Sequence, residues 1–240
     1  MKEMIISYFI AYLLLFSAED VLIQSLFYKH DFKKMRNILE WRPSNFFYFM
    51  SKFIAQLEIK MVSKYILSDL YRYCGNTTWK SFIKNYFFNR GFNFSVWLRL
   101  ASSKGLLAKI AYPIFYYKKK KYGIDIHCTT KIGYGLYIGH GGPLVVNPTT
   151  VIGHNVNLSQ FTTIGANGGT QAAEIGDNVY IGPNVCIVNH VVIGHNATIG
   201  AGSVVTKNIP ANATAVGNYA KVIHFDHAGQ SVNRRWTHFD

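Results

Sequence analysis

The chain has 240 residues, 25 Lys+Arg against 12 Asp+Glu, and a formal net charge of +13. At 49% hydrophobic and 15% charged residues it is not a disordered chain. Three cysteines exclude a disulfide framework, no C-x-x-C suggests zinc, and an odd number of unpaired thiols fits a reducing cytoplasm.

The averages conceal two regions. Residues 1–125 carry 20 basic and 8 acidic side chains, and residues 126–240 carry 5 and 4. Of the 37 aromatic residues, 29 precede Ile126, whereas 16 of the 20 glycines follow it. A basic charge confined to one half, with no zinc-finger, RNP-type or basic-zipper pattern, argues against nucleic acid as a partner.

In chain order, the first element is the uncharged run Met4–Ala18. As a helix at ~1.5 Å per residue it is too short for a ~30 Å hydrocarbon core, and it lacks a signal-peptide cleavage site. It reads as a buried interface helix, with membrane association as the alternative. A long helix is expected from Pro43–Ser44 to about Tyr73, stopped by Gly75. The next should be capped by Asn76–Thr77 and run through Phe88, with Gly91 ending it. A third covers about Phe94 to Ser103. A fourth runs from Leu106 to Tyr122 with a kink at Pro113. Lys118–Lys121 place four cations side by side. Their mutual repulsion suggests a helix end favoured by the dipole, an anionic membrane surface or ligand phosphates.

From Ile126 onward an aliphatic residue recurs every six positions: Ile126, Ile132, Ile138, Val146, Ile152, Leu158, Ile164, Ile175, Ile181, Ile187, Ile193, Ile199 and Val205. A six-residue period fits neither a 3.6-residue helix nor strand alternation. It fits a parallel β-helix in which three hexads close one triangular coil. Thirteen hexads give just over four coils. The phase slips twice, at His140-Gly141-Gly142-Pro143 and at Ala166–Ala173, and solenoids place such insertions on a binding face. The expected fold class is therefore α+β: a helical region, residues 1–122; a parallel β-helix, residues 123–223, whose six-residue repeat resembles the left-handed β-helix; and a tail, residues 224–240.

These motifs resemble the hexapeptide-repeat acyltransferases of the serine O-acetyltransferase-like branch. The resemblance rests on Gly123–His127, Lys131–Gly135, Gly139–Gly142, Ile199–Lys207 with Ile209-Pro210, and Val216–Ile223. Asp69–Tyr73, Asn89–Phe92, Trp97–Ala101 and Val232–Trp236 are similar to relatives that acetylate capsule and other surface polysaccharides. It covers about residues 69–240 and nothing in residues 1–68.

The resemblance implies acetyl transfer from acetyl-CoA to a hydroxyl. His140 matches the general base and Asp125 the carboxylate that orients it. Main-chain N–H groups around Gly165 and Ala166 are the expected oxyanion donors. Gly182, Ala201 and Gly202 match the groove for the pantetheine arm, and Lys207 is placed for a CoA phosphate. No metal is expected; His190 and His195 do not repeat at the offsets of a zinc site. Homotrimers are implied, with stacking into larger assemblies open, in the cytoplasm or at the inner membrane face.

Relative to the serine enzymes, Ala172 replaces a substrate-contacting histidine, Gln171 an arginine, Gly139 an aspartate and Pro148 a glutamate. These departures favour a saccharide acceptor, polymer or lipid-linked precursor, over L-serine. Serine O-acetyltransferase is the alternative, and a non-catalytic scaffold docked at a membrane is the second.

Overall fold

The computed structural model describes residues 59–239. The run Met4–Ala18 and the expected helix start at Pro43–Ser44 lie outside the described residues. Four helices, α1 (Ile59–Cys74), α2 (Trp79–Phe88), α3 (Arg90–Ala101) and α4 (Gly105–Tyr122), precede fifteen short strands. None is long and apolar enough to cross a membrane.

The helix ends follow local chemistry. α1 stops where Gly75 takes φ +71° and donates its N–H to the Tyr71 carbonyl at 2.7 Å. The cap of α2 falls one residue later than expected, on Thr78, whose hydroxyl accepts the Ser81 N–H at 3.3 Å. Gly91 does not end a helix. It is the second residue of α3, capped by the Asn89 side chain. The reason is packing: a Cβ on Gly91 would lie 2.3 Å from the Ile138 carbonyl oxygen. All eleven residues from Gly91 to Ala101 are buried, so α3 is sandwiched on every side.

α4 runs through Pro113 to Gly123, at φ +68°. Its four lysines find partners inside the chain. Lys118, Lys120 and Lys121 lie over the rings of Tyr122, Tyr116 and Tyr117, at 5.7, 4.6 and 5.7 Å from the centroids. Lys119 Nζ pairs with Asp125 Oδ1 at 2.6 Å. Helical spacing of tyrosine and lysine thus absorbs the charge run.

The strands wind into a parallel solenoid of about five coils with three faces. The first face stacks β1 (Ile124–Ile126), β4 (Leu144–Val146), β7 (Thr163–Gly165), β10 (Cys186–Val188) and β13 (Val204–Val205). The second stacks β2 (Lys131–Ile132), β5 (Val151–Ile152), β8 (Glu174–Ile175) and β11 (Val192–Ile193). The third stacks β3 (Tyr137–Ile138), β6 (Asn157–Leu158), β9 (Tyr180–Ile181), β12 (Thr198–Ile199) and β14 (Thr214–Val216), closed by the antiparallel β15 (Lys221–His224).

The hexad residues meet in register along the axis. Ile126, Val146, Ile164, Ile187 and Val205 form one ladder, each at most 2% exposed. Burying each such side chain contributes roughly 1.5–3 kcal/mol. The solenoid outlasts the hexad pattern: Ile209 and Ala215 continue the other two ladders although their spacing from Val205 breaks the period.

One corner shows why the sequence chose its turn residues. Gly135, Asn155, Asn178, Asn196 and Asn212 stack there, all with positive φ. Asn is the non-glycine residue that best tolerates this conformation. Its amides also pair between coils: Asn178 donates to Asn196 at 3.1 Å and Asn196 to Asn212 at 3.0 Å. His154 and the exposed His195 brace this corner by accepting the Tyr134 and Asp177 N–H groups, both at 2.9 Å. The tail straps this corner back to α1: Asn155 and Trp236 exchange two hydrogen bonds, and Trp236 meets Tyr71 edge-on.

Replacing Asn196 separates the two contributions. Asn196→Val combines left-handed strain with loss of two amide bonds and should cost about 2–3 kcal/mol. Asn196→Gly keeps the backbone and should cost clearly less. Paired thermal melts check the order; equal losses would remove the conformational argument.

Candidate active site

The first insertion becomes a 3₁₀ turn, Gly139–Gly141, between β3 and β4. His140 sits in it at φ 58°. A non-glycine residue in this region costs on the order of 1–3 kcal/mol, and such strain persists only where surroundings enforce it. Here α3 does so. Gly141 has φ +57°, and a Cβ on it would lie 2.6 Å from both Arg90 Cβ and the Gly91 nitrogen. On the other side Tyr73 Oη accepts the Ile138 N–H at 2.9 Å and donates to the Ile138 carbonyl at 3.3 Å. The turn is clamped while the His140 side chain is exposed.

The expected pairing of Asp125 with His140 is not made. Asp125, the outward residue of β1, gives its carboxylate to Lys119, delivered by the last turn of α4. Arg90 joins this neighbourhood: its charge is felt by the Tyr122 hydroxyl, which burial pushes up and Arg90 pulls down. Sequence reading missed Arg90, since only the fold brings the start of α3 to the turn.

The remaining candidates divide between two edges of the first face. On the His140 edge, the following coils place Gln160–Phe161, Gly182–Pro183 and Ala201–Gly202 in succession. They are linked by the N–H of Phe161 to Pro143, of Asn184 to Gln160 and of Gly202 to Pro183, at 2.6, 3.1 and 2.8 Å. With coils ~4.8 Å apart, Ala201–Gly202 lie about 14 Å along the edge from His140. Gly182 permits this stacking: a Cβ there would be 2.8 Å from the Ala201 nitrogen. Phe161 was also missed by sequence reading. It is 55% exposed at φ 61° on the same edge.

Gly165 and Ala166 lie at the opposite edge, where β7 ends and the second insertion begins. Lys207 follows β13 at that edge as Ala166 follows β7. This insertion, with Lys131, Asn147 and Thr149, borders a cavity of about 590 Å³. Between the edges the face presents Val145, Thr163, Cys186 and Val204 in register, an uncharged strip. Among the described residues no group of three or more His, Cys, Asp and Glu is arranged for a metal.

Comparison with known proteins bears on this architecture. Residues 172–207 match the bacterial transferase hexapeptide (six repeats) family model. The serine acetyltransferase of Neisseria gonorrhoeae, solved in complex with serine, is 32% identical with a TM-score of 0.59, over 68% of this chain and 69% of that one. The chain belongs to the hexapeptide-repeat, left-handed β-helix acyltransferase family of the serine acetyltransferases. Soybean serine acetyltransferase is 28% identical over 72% of this chain and 76% of its own, with a TM-score of 0.59. The mitochondrial serine acetyltransferase 3 of Arabidopsis thaliana is 41% identical over 105 residues, 42% of this chain and 27% of that protein. The chain spans under a third of the length of the first curated relatives it matches.

These relatives overturn the expected saccharide acceptor, and with it the link to capsule or other surface polysaccharide. The inference rested on departures at four positions, and the structure weakens its premise at the two in the second insertion. Ala172 is fully buried, its N–H donated to Thr149 Oγ1 at 2.9 Å, so the residue there reflects loop packing. Gln171 is held by Glu174 at 2.9 Å. Arg90, meanwhile, brings a cation to the His140 turn.

Gly141→Ala tests the clamp. A methyl group at 2.6 Å from backbone must displace the start of α3. Thermal stability should fall by about 2 kcal/mol or more; a loss below 0.5 kcal/mol would mean that α3 does not hold the turn.

Proposed function

We propose that this chain is a serine O-acetyltransferase, moving the acetyl group of acetyl-CoA to the side-chain hydroxyl of L-serine. The observation that carries the reading is the 32% identity with the Neisseria enzyme solved with serine, over 69% of that chain. A serine acetyltransferase from Brucella abortus solved with coenzyme A, 27% identical with a TM-score of 0.55, supports the co-substrate.

In this reading the exposed His140 imidazole takes the serine hydroxyl proton as the oxygen attacks the thioester carbon. Main-chain N–H groups at Gly165–Ala166 hold the oxyanion. Collapse breaks the C–S bond, and the imidazolium returns its proton to the departing CoA thiolate. Asp125 orients the imidazole once a bound substrate draws it from Lys119. Arg90 is the cation assigned to the serine carboxylate. Gly182, Ala201 and Gly202 line the path of the pantetheine arm, and Lys207 takes a CoA phosphate.

Because the candidates occupy two edges of one face, the site closes only between neighbouring chains. A homotrimer packed through the uncharged strip would bring the His140 edge of one protomer to the Lys207 edge of the next.

Thiol release from acetyl-CoA, measured with and without L-serine, tests the reading. Serine-dependent release is expected, with O-acetylserine as the product. His140→Ala should lower kcat by about 10²–10⁴-fold, and Lys207→Ala should raise the KM for acetyl-CoA with kcat kept. Serine-independent release, or a His140→Ala enzyme of wild-type rate, would overturn it.

A further inference from the structure

A second polar site lies away from the His140 edge, at the seam of α1, the third face of the solenoid and the C-terminal tail. It is a cavity of about 280 Å³ bordered by Arg72 and Tyr73 of α1, Tyr137 and Asn157 of β3 and β6, and Ser231, Asn233 and Arg234 of the tail. No residue lining it is acidic. Its size falls just below the range that takes a drug-sized molecule.

Arg72 decides its chemistry. The residue is only 4% exposed. One terminal nitrogen, Nη2, donates to Asn157 Oδ1. Nε and Nη1 are buried without a hydrogen-bond partner. A native interior rarely leaves two charged N–H groups unmet. The nearby carboxylate cannot meet them, because Asp69 is taken by both Arg99 and the Leu136 N–H. Further positive charge comes from Arg234, whose guanidinium donates to the Tyr73 carbonyl while the residue stays at φ 51°. Burial pushes the Arg72 guanidinium down to about 10, with Arg235 adding to the effect against Tyr73 and Asp69, so it stays charged at neutral pH.

We infer that this cavity binds a small oxyanion of the phosphate or sulfate type, held by the guanidinium groups of Arg72 and Arg234. Two N–H groups of one guanidinium match two oxygens of a tetrahedral anion. The Ser231 hydroxyl and the Asn233 amide supply neutral donors at the solvent side. The site is separate from the proposed acetyl transfer and does not depend on it.

Calorimetric titration of the full chain with sodium phosphate and sodium sulfate, against sodium chloride at equal ionic strength, tests the inference. One saturable site per chain is expected for the oxyanions and none for chloride, with a matching rise in Tm. Arg234 and Asn233 are exposed, so Arg234→Ala and Asn233→Asp should fold. The first should weaken binding at least fivefold and the second, by adding a carboxylate, should abolish it. Absence of saturable binding would overturn the site, and so would binding that both variants leave unchanged.

Discussion

The helical region is seated on the solenoid by one buried ion pair, Asp69 with Arg99. The side chains are 0% and 6% exposed and meet through two parallel bonds of 2.9 Å. Neither charge is spent only on the other. Arg99 also donates to the Ile132 and Gly133 carbonyls at 2.9 and 2.7 Å, and Asp69 accepts the Leu136 N–H at 2.7 Å. Burial pushes the Asp69 carboxyl up and Arg99 pulls it back. Such a pair adds little over a well-packed apolar substitute, yet losing one partner strands the other charge at a cost of about 3–5 kcal/mol. Its value here is geometric, because it fixes α1 and α3 against the first coil.

That first coil needs a cover. A solenoid exposes its axis at both ends, and a terminal coil without a cap is a solubility and stability liability. α3 supplies the cap, which explains why it is buried all round rather than amphipathic. Covering the coil and building the site then become one event. The same docking that closes the axis brings Arg90 and Gly91 under the His140 turn and Tyr73 alongside Ile138.

The axis and the corners were legible in the sequence because they repeat. Six-residue spacing identifies the ladders of Ile126, Ile132 and Ile138, and the Asn and Gly corners follow from turn conformation. His140, Gly182, Ala201 and Gly202 fall on one edge because their positions within the coil correspond. What stayed hidden joins residues far apart in the chain. Nothing local says that Arg72 reaches Asn157, or that Gly91 must touch Ile138. The Lys119–Asp125 pair was hidden for another reason, since it competes with a partner that the resemblance had already assigned. Of the four departures behind the saccharide acceptor, those at Gln171 and Ala172 were weighed as lost substrate contacts without knowing that Ala172 is enclosed and that Gln171 is bonded to Glu174 at the start of β8.

Hydrogen exchange across the first coil in Asp69→Asn measures the seating most directly. The substitution keeps shape and removes charge, leaving Arg99 unpaired. If the pair holds the His140 turn, amides in residues 134–142 should exchange at least tenfold faster than in the wild-type chain, while residues 175–205 keep their protection. Unchanged protection in residues 134–142 would show that the turn stands without the pair and would contradict the claim.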